Sequence, residues 1–222
     1  IYENIFGSWS QIGFDIDGDT INDYFGWSVS LSKDGNIVAI GSKRHNISTG
    51  HVKIYNNSNG NWIQLGQNID GEAISDDSGW SVSLNGDGDI VAIGAPSNDA
   101  NGLSSGHTRI HKYIDSVWVQ LGQDLDGESS SDKSGWSVSL NSDGSIVAVG
   151  APYNTGSSGV SGGHVRIHSN LSNCPCIETF KTVFSCNPTY NWDGVNYNAS
   201  GTYTNIYSNS NGCDSTVYLT LI

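Results

Sequence analysis

Acidic side chains offer the first chemistry in this sequence. Asp15, Asp17, Asp19 and Asp23 stand at positions 1, 3, 5 and 9 of DIDGDTINDYFG. That is the order in which calcium loops present side-chain oxygens to a hard cation. The stretch returns as NIDGE…D from Asn68 and DLDGE…D from Asp124, so an oxygen ligand stands at each of those positions in all three copies. Calcium is therefore the one cofactor the sequence suggests. Against it, Gly18 occupies position 4, whereas an EF-hand loop needs Gly at 6 and a bidentate Glu at 12, and position 12 is Gly26. An Asp-Gly turn accounts for Asp17-Gly18, Asp70-Gly71 and Asp126-Gly127 without metal, the Asp bonding nearby backbone amides. The pattern favours the turn.

The other reactive residues are fewer. His51, His107 and His164 each follow a Gly at a strand start. His107 and His111 share a strand face but lie roughly 13 Å apart along it, too far to hold one metal. We read these histidines as structural. Catalysis would need a constellation that occurs once, because a scaffold copies itself. No H-E-x-x-H and no Cys–His pair within one module occurs, so a non-catalytic chain is expected.

The elements that position these residues are repeated. Trp9, Trp62 and Trp118 open WSQIGFDIDG, WIQLGQNIDG and WVQLGQDLDG, each followed by GWSVSL, a DG turn, IVAIG or IVAVG, and GHVKI, GHTRI or GHVRI. First Trp to second Trp is 18 residues in every copy, and second Trp to the closing Gly is 14. From that Gly to the His of the next strand the count is 10, 13 and 14, so all the length variation sits in one loop. Framework segments cannot change length without losing register, whereas exposed loops can.

Trp27, Val29 and Leu31 alternate with Ser28 and Ser30, the period-2 sign of a strand. Ile37 to Ile40 is continuously apolar, as for a strand buried on both faces. Val52 and Ile54 mark a third strand and Trp62 to Leu65 a fourth. Four short antiparallel strands per repeat describe a β-propeller blade. The expected fold is all-β: an open arc of three four-stranded blades (about 9–61, 62–117 and 118–169, with 1–8 ending a preceding blade), then a small β module at 170–222. Three blades do not close a ring, which takes about four to eight. With no Met and the opening IYENIFGSW, the chain is expected to be an internal piece of a longer protein, flanked by further blades.

Phe25-Gly26 followed by SVSL, with IGAP at 93–96 and VGAP at 149–152, resembles the FG-GAP repeat of integrin-α-type β-propellers over roughly residues 1–168. Repeats two and three carry Ser78-Gly79 and Ser134-Gly135 for Phe-Gly, and repeat one has IGSK for IGAP. The resemblance implies a binding function at the cell surface. It also implies a calcium loop between the FG and GAP strands, where this chain has only the short turn Lys33-Asp34-Gly35. The segment after Ser169, with YNWDG, SGTYT and GCDS, resembles short Cys-bearing β repeats of secreted and surface adhesins of gliding marine bacteria.

That segment holds all four cysteines, Cys174, Cys176, Cys186 and Cys213. Four cysteines allow three pairings. Cys174 and Cys176 are too close for an easy mutual bridge, which favours Cys186 with Cys213 and an extracellular or cell-surface setting. CPC lacks the C-x2-C spacing of a zinc site.

The net charge of −13 excludes a nucleic-acid partner, which would need clustered Lys and Arg. Apolar runs such as IVAIGAP are too short to insert in a membrane. Recurrent Trp residues are read as core and inter-blade packing ahead of a sugar-stacking platform. The variable loops 42–50, 95–106 and 151–163 fall at corresponding positions, hence on one rim. Lys43, Arg44, Asn98, Asp99, Asn101, Tyr153 and Asn154 are its candidate contacts for a glycan or protein ligand. The alternative function is an ancillary propeller of an extracellular hydrolase whose catalytic domain lies elsewhere.

Overall fold

The computed structural model describes residues 1–156, 162–169, 179–183, 190–192, 195–197, 199–208 and 214–221. The chain is all-β and divides into two compact units, Ile1–Ser169 and Asn170–Ile222.

The first unit opens on a hairpin, β1 (Tyr2–Ile5) with β2 (Ser8–Gln11). Its first full sheet runs in the order β3 (Phe25–Leu31), β4 (Ile37–Ser42), β5 (His51–Ser58), β6 (Asn61–Gln64), and the two-residue β7 (Ile69–Asp70) also pairs with β5. The second sheet repeats this with β8 (Ser81–Leu84), β9 (Ile90–Ala95), β10 (His107–Ile114), β11 (Val117–Gln120) and β12 (Leu125–Asp126). The third has three strands, β13 (Ser137–Leu140), β14 (Ile146–Ala151) and β15 (His164–Ser169). Sheet and sequence repeat are thus offset. The Trp-opening segment of each copy closes the sheet before it: Trp62 pairs with Asn57 and Trp118 with Tyr113.

Period-2 alternation decides how the sheets stack. Val82 and Leu84, on one face of β8, are buried against Ala39, Val52 and Ile54 of the first sheet. The serines of the opposite faces reach forward instead. Ser28 Oγ donates to Gly79 O at 2.8 Å and Ser81 Oγ to Gly135 O at 2.8 Å. Ser30 and Ser83 accept from the amides of Leu84 and Leu140 at 2.9 Å. Gly41 and Gly94 permit this approach, since a Cβ on either would lie under 3.0 Å from the carbonyl oxygen of Gly79 or Gly135. The central strands are the driest, with Ala39, Val91 and Ala92 at 0% exposure, as their unbroken apolar runs require. Trp118 joins this core at 3% exposure, its indole N–H donating to Leu65 O at 2.7 Å.

In the second unit, β20 (Asp214–Leu221) lies between β19 (Gly201–Ser208), antiparallel, and β16 (Thr179–Val183), parallel. A separate hairpin joins β17 (Tyr190–Trp192) to β18 (Val195–Tyr197). All four cysteines, and so the Cys186–Cys213 pairing, lie outside the described residues.

Candidate functional site: an aromatic row and its cleft

Trp27, Trp80 and Trp136 each follow a glycine in the left-handed region, Gly26, Gly79 and Gly135, at φ of +85°, +82° and +81°. Each indole-bearing residue closes a tight turn, its amide donating to the carbonyl three residues back: Tyr24, Asp77 and Lys133, at 3.0, 3.1 and 3.2 Å. Four residues before each Trp stands a buried carboxylate, Asp23, Asp76 or Asp132. Each anchors the variable loop beside it, through His45 Nδ1 at 3.1 Å, Asn98 Nδ2 at 3.0 Å and Asn154 Nδ2 at 2.8 Å. Burial pushes the Asp23 carboxyl up, but hydrogen bonds from Thr20 and His45 outweigh it, and the net shift is down.

The same construction three times over sets the tryptophans in a row. Ring centroids are 5.2 Å apart from Trp27 to Trp80 and 4.6 Å from Trp80 to Trp136. Tyr24 and Tyr153 extend the row at 6.3 and 5.9 Å, both edge-on. Trp27 remains 46% exposed and Tyr153 52%, while Trp80 and Trp136 between them are partly buried and Trp118 is dry. The sequence reading of the tryptophans as core and inter-sheet packing fits Trp118 in the core and the ring-to-ring contacts of the row, while the exposure of Trp27 at one end of the row exceeds what packing alone requires.

Lys43 sits at the first junction of the row, its ammonium 3.3 Å from the Trp27 centroid and 3.8 Å from that of Trp80. Burial pushes its pKa down, opposed by the charge of Asp77. Arg44 extends over Tyr24 at 4.9 Å. Beside them opens a cleft of about 530 Å³ whose walls include Arg44, Asp77, Trp80, Ser97 and Asp99. That volume is within the range of small-ligand sites. The cleft combines an aromatic wall, two cations, two carboxylates and several hydroxyls, the means to stack on a ring and to fix polar substituents.

The structure sorts the rim residues named from sequence. Lys43, Arg44 and Asp99 line the cleft, and Tyr153 ends the row. Asn98 and Asn154 are corrected: at 6% and 4% exposure, each bound to its Asp, they are loop anchors rather than ligand contacts. Asn101 donates to Gly127 O at 3.0 Å and lies outside the cleft lining. Trp80, Asp77 and Ser97 were missed. The second Trp of each copy was the available signal, since it stands next to a turn glycine.

The acids of DIDGDTINDYFG go separate ways. Asp15 accepts from Gln11 Nε2 at 2.9 Å, Asp19 pairs with Lys53, Asp23 is buried with Thr20 and His45, and Asp17 makes no side-chain bond of note. Among the described residues, one group of three potential metal ligands has its ligand atoms within 4.8 Å of one another, and it is Glu72, His107 and Asp124. The acid of the DGD and DGE turns has a repeated task instead. Asp19, Glu72 and Glu128 pair with Lys53, Arg109 and Arg166, each on the next sheet.

No family model matches the chain, and no curated protein does. Solved structures give distant likenesses. A candidate 6-phosphogluconolactonase from Bacteroides uniformis is 12% identical at a TM-score of 0.44, over 64% of this chain and 36% of that one. Hydrazine synthase from Kuenenia stuttgartiensis is 10% identical at 0.39, over 63% and 33%. A complex of KlAtg21 with the coiled coil of AgAtg16 is 13% identical at 0.46, over 88% and 58%. This chain thus spans less than two thirds of each of those chains. Among the described residues, no helix is long and apolar enough to cross a membrane.

Proposed function

We propose that this chain is a non-catalytic binding segment of a larger secreted or surface adhesion protein. It forms three blades of a FG-GAP-like β-propeller arc, and its rim takes a polar ligand, a glycan first and a protein surface otherwise. The observation that carries the binding reading is the aromatic row with its cation-lined cleft at Lys43, Arg44 and Trp80. Exposed aromatic rings such as Trp27 and Tyr153 are costly to leave in water and suit stacking on sugar faces.

Exposed apolar faces support further blades of the same parent chain on both sides. Val29 and Leu31 are 64% and 49% exposed, whereas their counterparts Val82 and Leu84 are 8% and 6%. At the other end Val165 and Ile167 are 68% and 73% exposed, whereas Val52 and Ile54 are at 0%. A neighbouring sheet on each side would bury them as the present neighbours bury the second sheet. Calcium has no part in this reading.

The test is a panel of immobilised glycans, followed by tryptophan fluorescence titration of any binder. Arg44→Ala and Trp80→Ala should each weaken binding at least about tenfold. Replacing Ala95–Gly106 by the short loop Ser42–Gly50 should abolish binding with little change in melting temperature, because His45 then supplies the anchor that Asn98 made. Binding untouched by all three changes would refute the cleft. Products released from a glycan by this chain alone would refute the non-catalytic reading and favour hydrolase chemistry.

A further inference from the structure

We propose that Glu72, His107 and Asp124, with Asp126 beside them, form a divalent-cation site, for zinc or a similar first-row metal, that staples the segment after β7 to β10 and β12 of the next sheet. His107 is 1% exposed, and its Nδ1 has no hydrogen-bond partner. Around that atom stand Asp124 Oδ2 at 3.6 Å, Glu72 Oε2 at 3.9 Å and Asp126 Oδ1 at 4.0 Å. Asp126 Oδ1 is itself buried and without a partner. These distances are too long for hydrogen bonds. They are close to the roughly 3.5 Å that separates two ligands each about 2.1 Å from a tetrahedral cation.

Each outer carboxylate is already oriented by a partner on its other oxygen. Glu72 Oε1 faces Arg109 Nη1 at 3.3 Å, and Asp124 Oδ1 accepts from Gln120 Nε2 at 2.6 Å. That leaves Oε2 and Oδ2 for the ion, each held in place by the bond to its carboxylate's other oxygen, as at established metal centres. Charge closes as well: three carboxylates and Arg109 sum to −2, which one divalent ion neutralises. An imidazole among the ligands selects zinc-like ions over calcium or magnesium, which take all-oxygen sets.

The neighbouring repeats act as internal controls. His51 also has a buried, unpartnered Nδ1, but it meets only Asp70, at 3.9 Å. Asn68 stands in the place of Asp124 there, bonded by Gln64 Nε2 at 2.9 Å, and Asp19 is engaged by Lys53. His164 has Glu128 at 4.0 Å and no further carboxylate partner among the described residues. Among the described residues the site is thus built once, where Asp124 replaces the Asn68 of the preceding copy.

The experiment uses the whole 222-residue chain, thiols alkylated and metals removed by chelation, titrated with zinc by calorimetry and scanned for melting temperature. One equivalent should bind well above the background of the other five histidines and raise the melting temperature, with magnesium giving no rise. Asp124→Asn, which copies Asn68 of the first sheet and so should fold, should weaken that event at least about tenfold; Glu72→Gln should do likewise. Zinc binding that is unchanged in both variants, or no stoichiometric binding by the wild-type chain, overturns the site.

Discussion

At the junction of the first and second sheets, Lys43 lies over both Trp27 and Trp80, and a cleft opens beside them. At the next junction the equivalent residue is Pro96, Trp80 and Trp136 stand closer, and no cation intervenes. Everything beneath the two junctions is shared: the Ser-to-Gly bonds, the glycine-on-glycine approach, the acid paired to a base on the next sheet. The same holds for the two copies of the His–Asp pair, where Asn68 in one copy and Asp124 in the other decide how many carboxylates gather. In this molecule, framework is what the repeats have in common, and candidate sites are where one repeat departs.

The comparison can be broken most directly through the core. Trp118→Ala removes a buried ring and its bond to Leu65 O, and should cost about 4 kcal/mol by urea denaturation. Trp9→Ala, at the same sequence position but 69% exposed, should cost less than about 1 kcal/mol. Equal costs would mean that the opening tryptophans do not play the unequal parts described.

Gly94→Ala tests the shared framework. Its Cβ would meet the backbone oxygen of Gly135, which cannot swing aside, and the loss should be about 3 kcal/mol. Gly41→Ala should behave alike, since the contact with Gly79 is the same. A benign alanine at either position would contradict the face-to-face stacking.

Lys43→Met sharpens the difference between the junctions. It keeps the apolar stem and removes the charge, so stability should fall by about 1 kcal/mol, with a shift in tryptophan emission. No change in emission would make the first junction equivalent to the second.

The last test, silent at neutral pH, is a pH dependence at His51. Burial, then the neighbouring His45 and Lys53, push its pKa down to about 4, against the weaker pull of Asp70 and Asp23. The unfolded chain holds a proton on this ring below about 6.5, while the folded chain refuses it until about 4. Stability from this group is therefore full above pH 6.5 and falls as pH drops toward 4. NMR titration should place the His51 midpoint near 4, and a midpoint near 6.5 would show that the ring is not sealed by the neighbouring sheet.

Much of this was legible from residues in order. Alternation in WSVSL assigned a dry face and a serine face, and the constant Trp-to-Trp and Trp-to-Gly spacing separated framework from loop. Both follow from local geometry, since side chains alternate along any strand and register forbids insertions. Lys43, Arg44 and Asp99 could be chosen because an exposed loop of variable length is where a scaffold tolerates change. Only the tertiary structure showed that Asn98 and Asn154 are anchors, because their partners Asp76 and Asp132 lie 22 residues earlier in the chain. It alone split the tryptophans into a core member and a rim row. It also brought Glu72 and Asp124, 52 positions apart, within 4.8 Å of one another and of His107. Sequence period dictates what each strand presents, but which strands face one another is set by sheet stacking, and the sites are made at those faces.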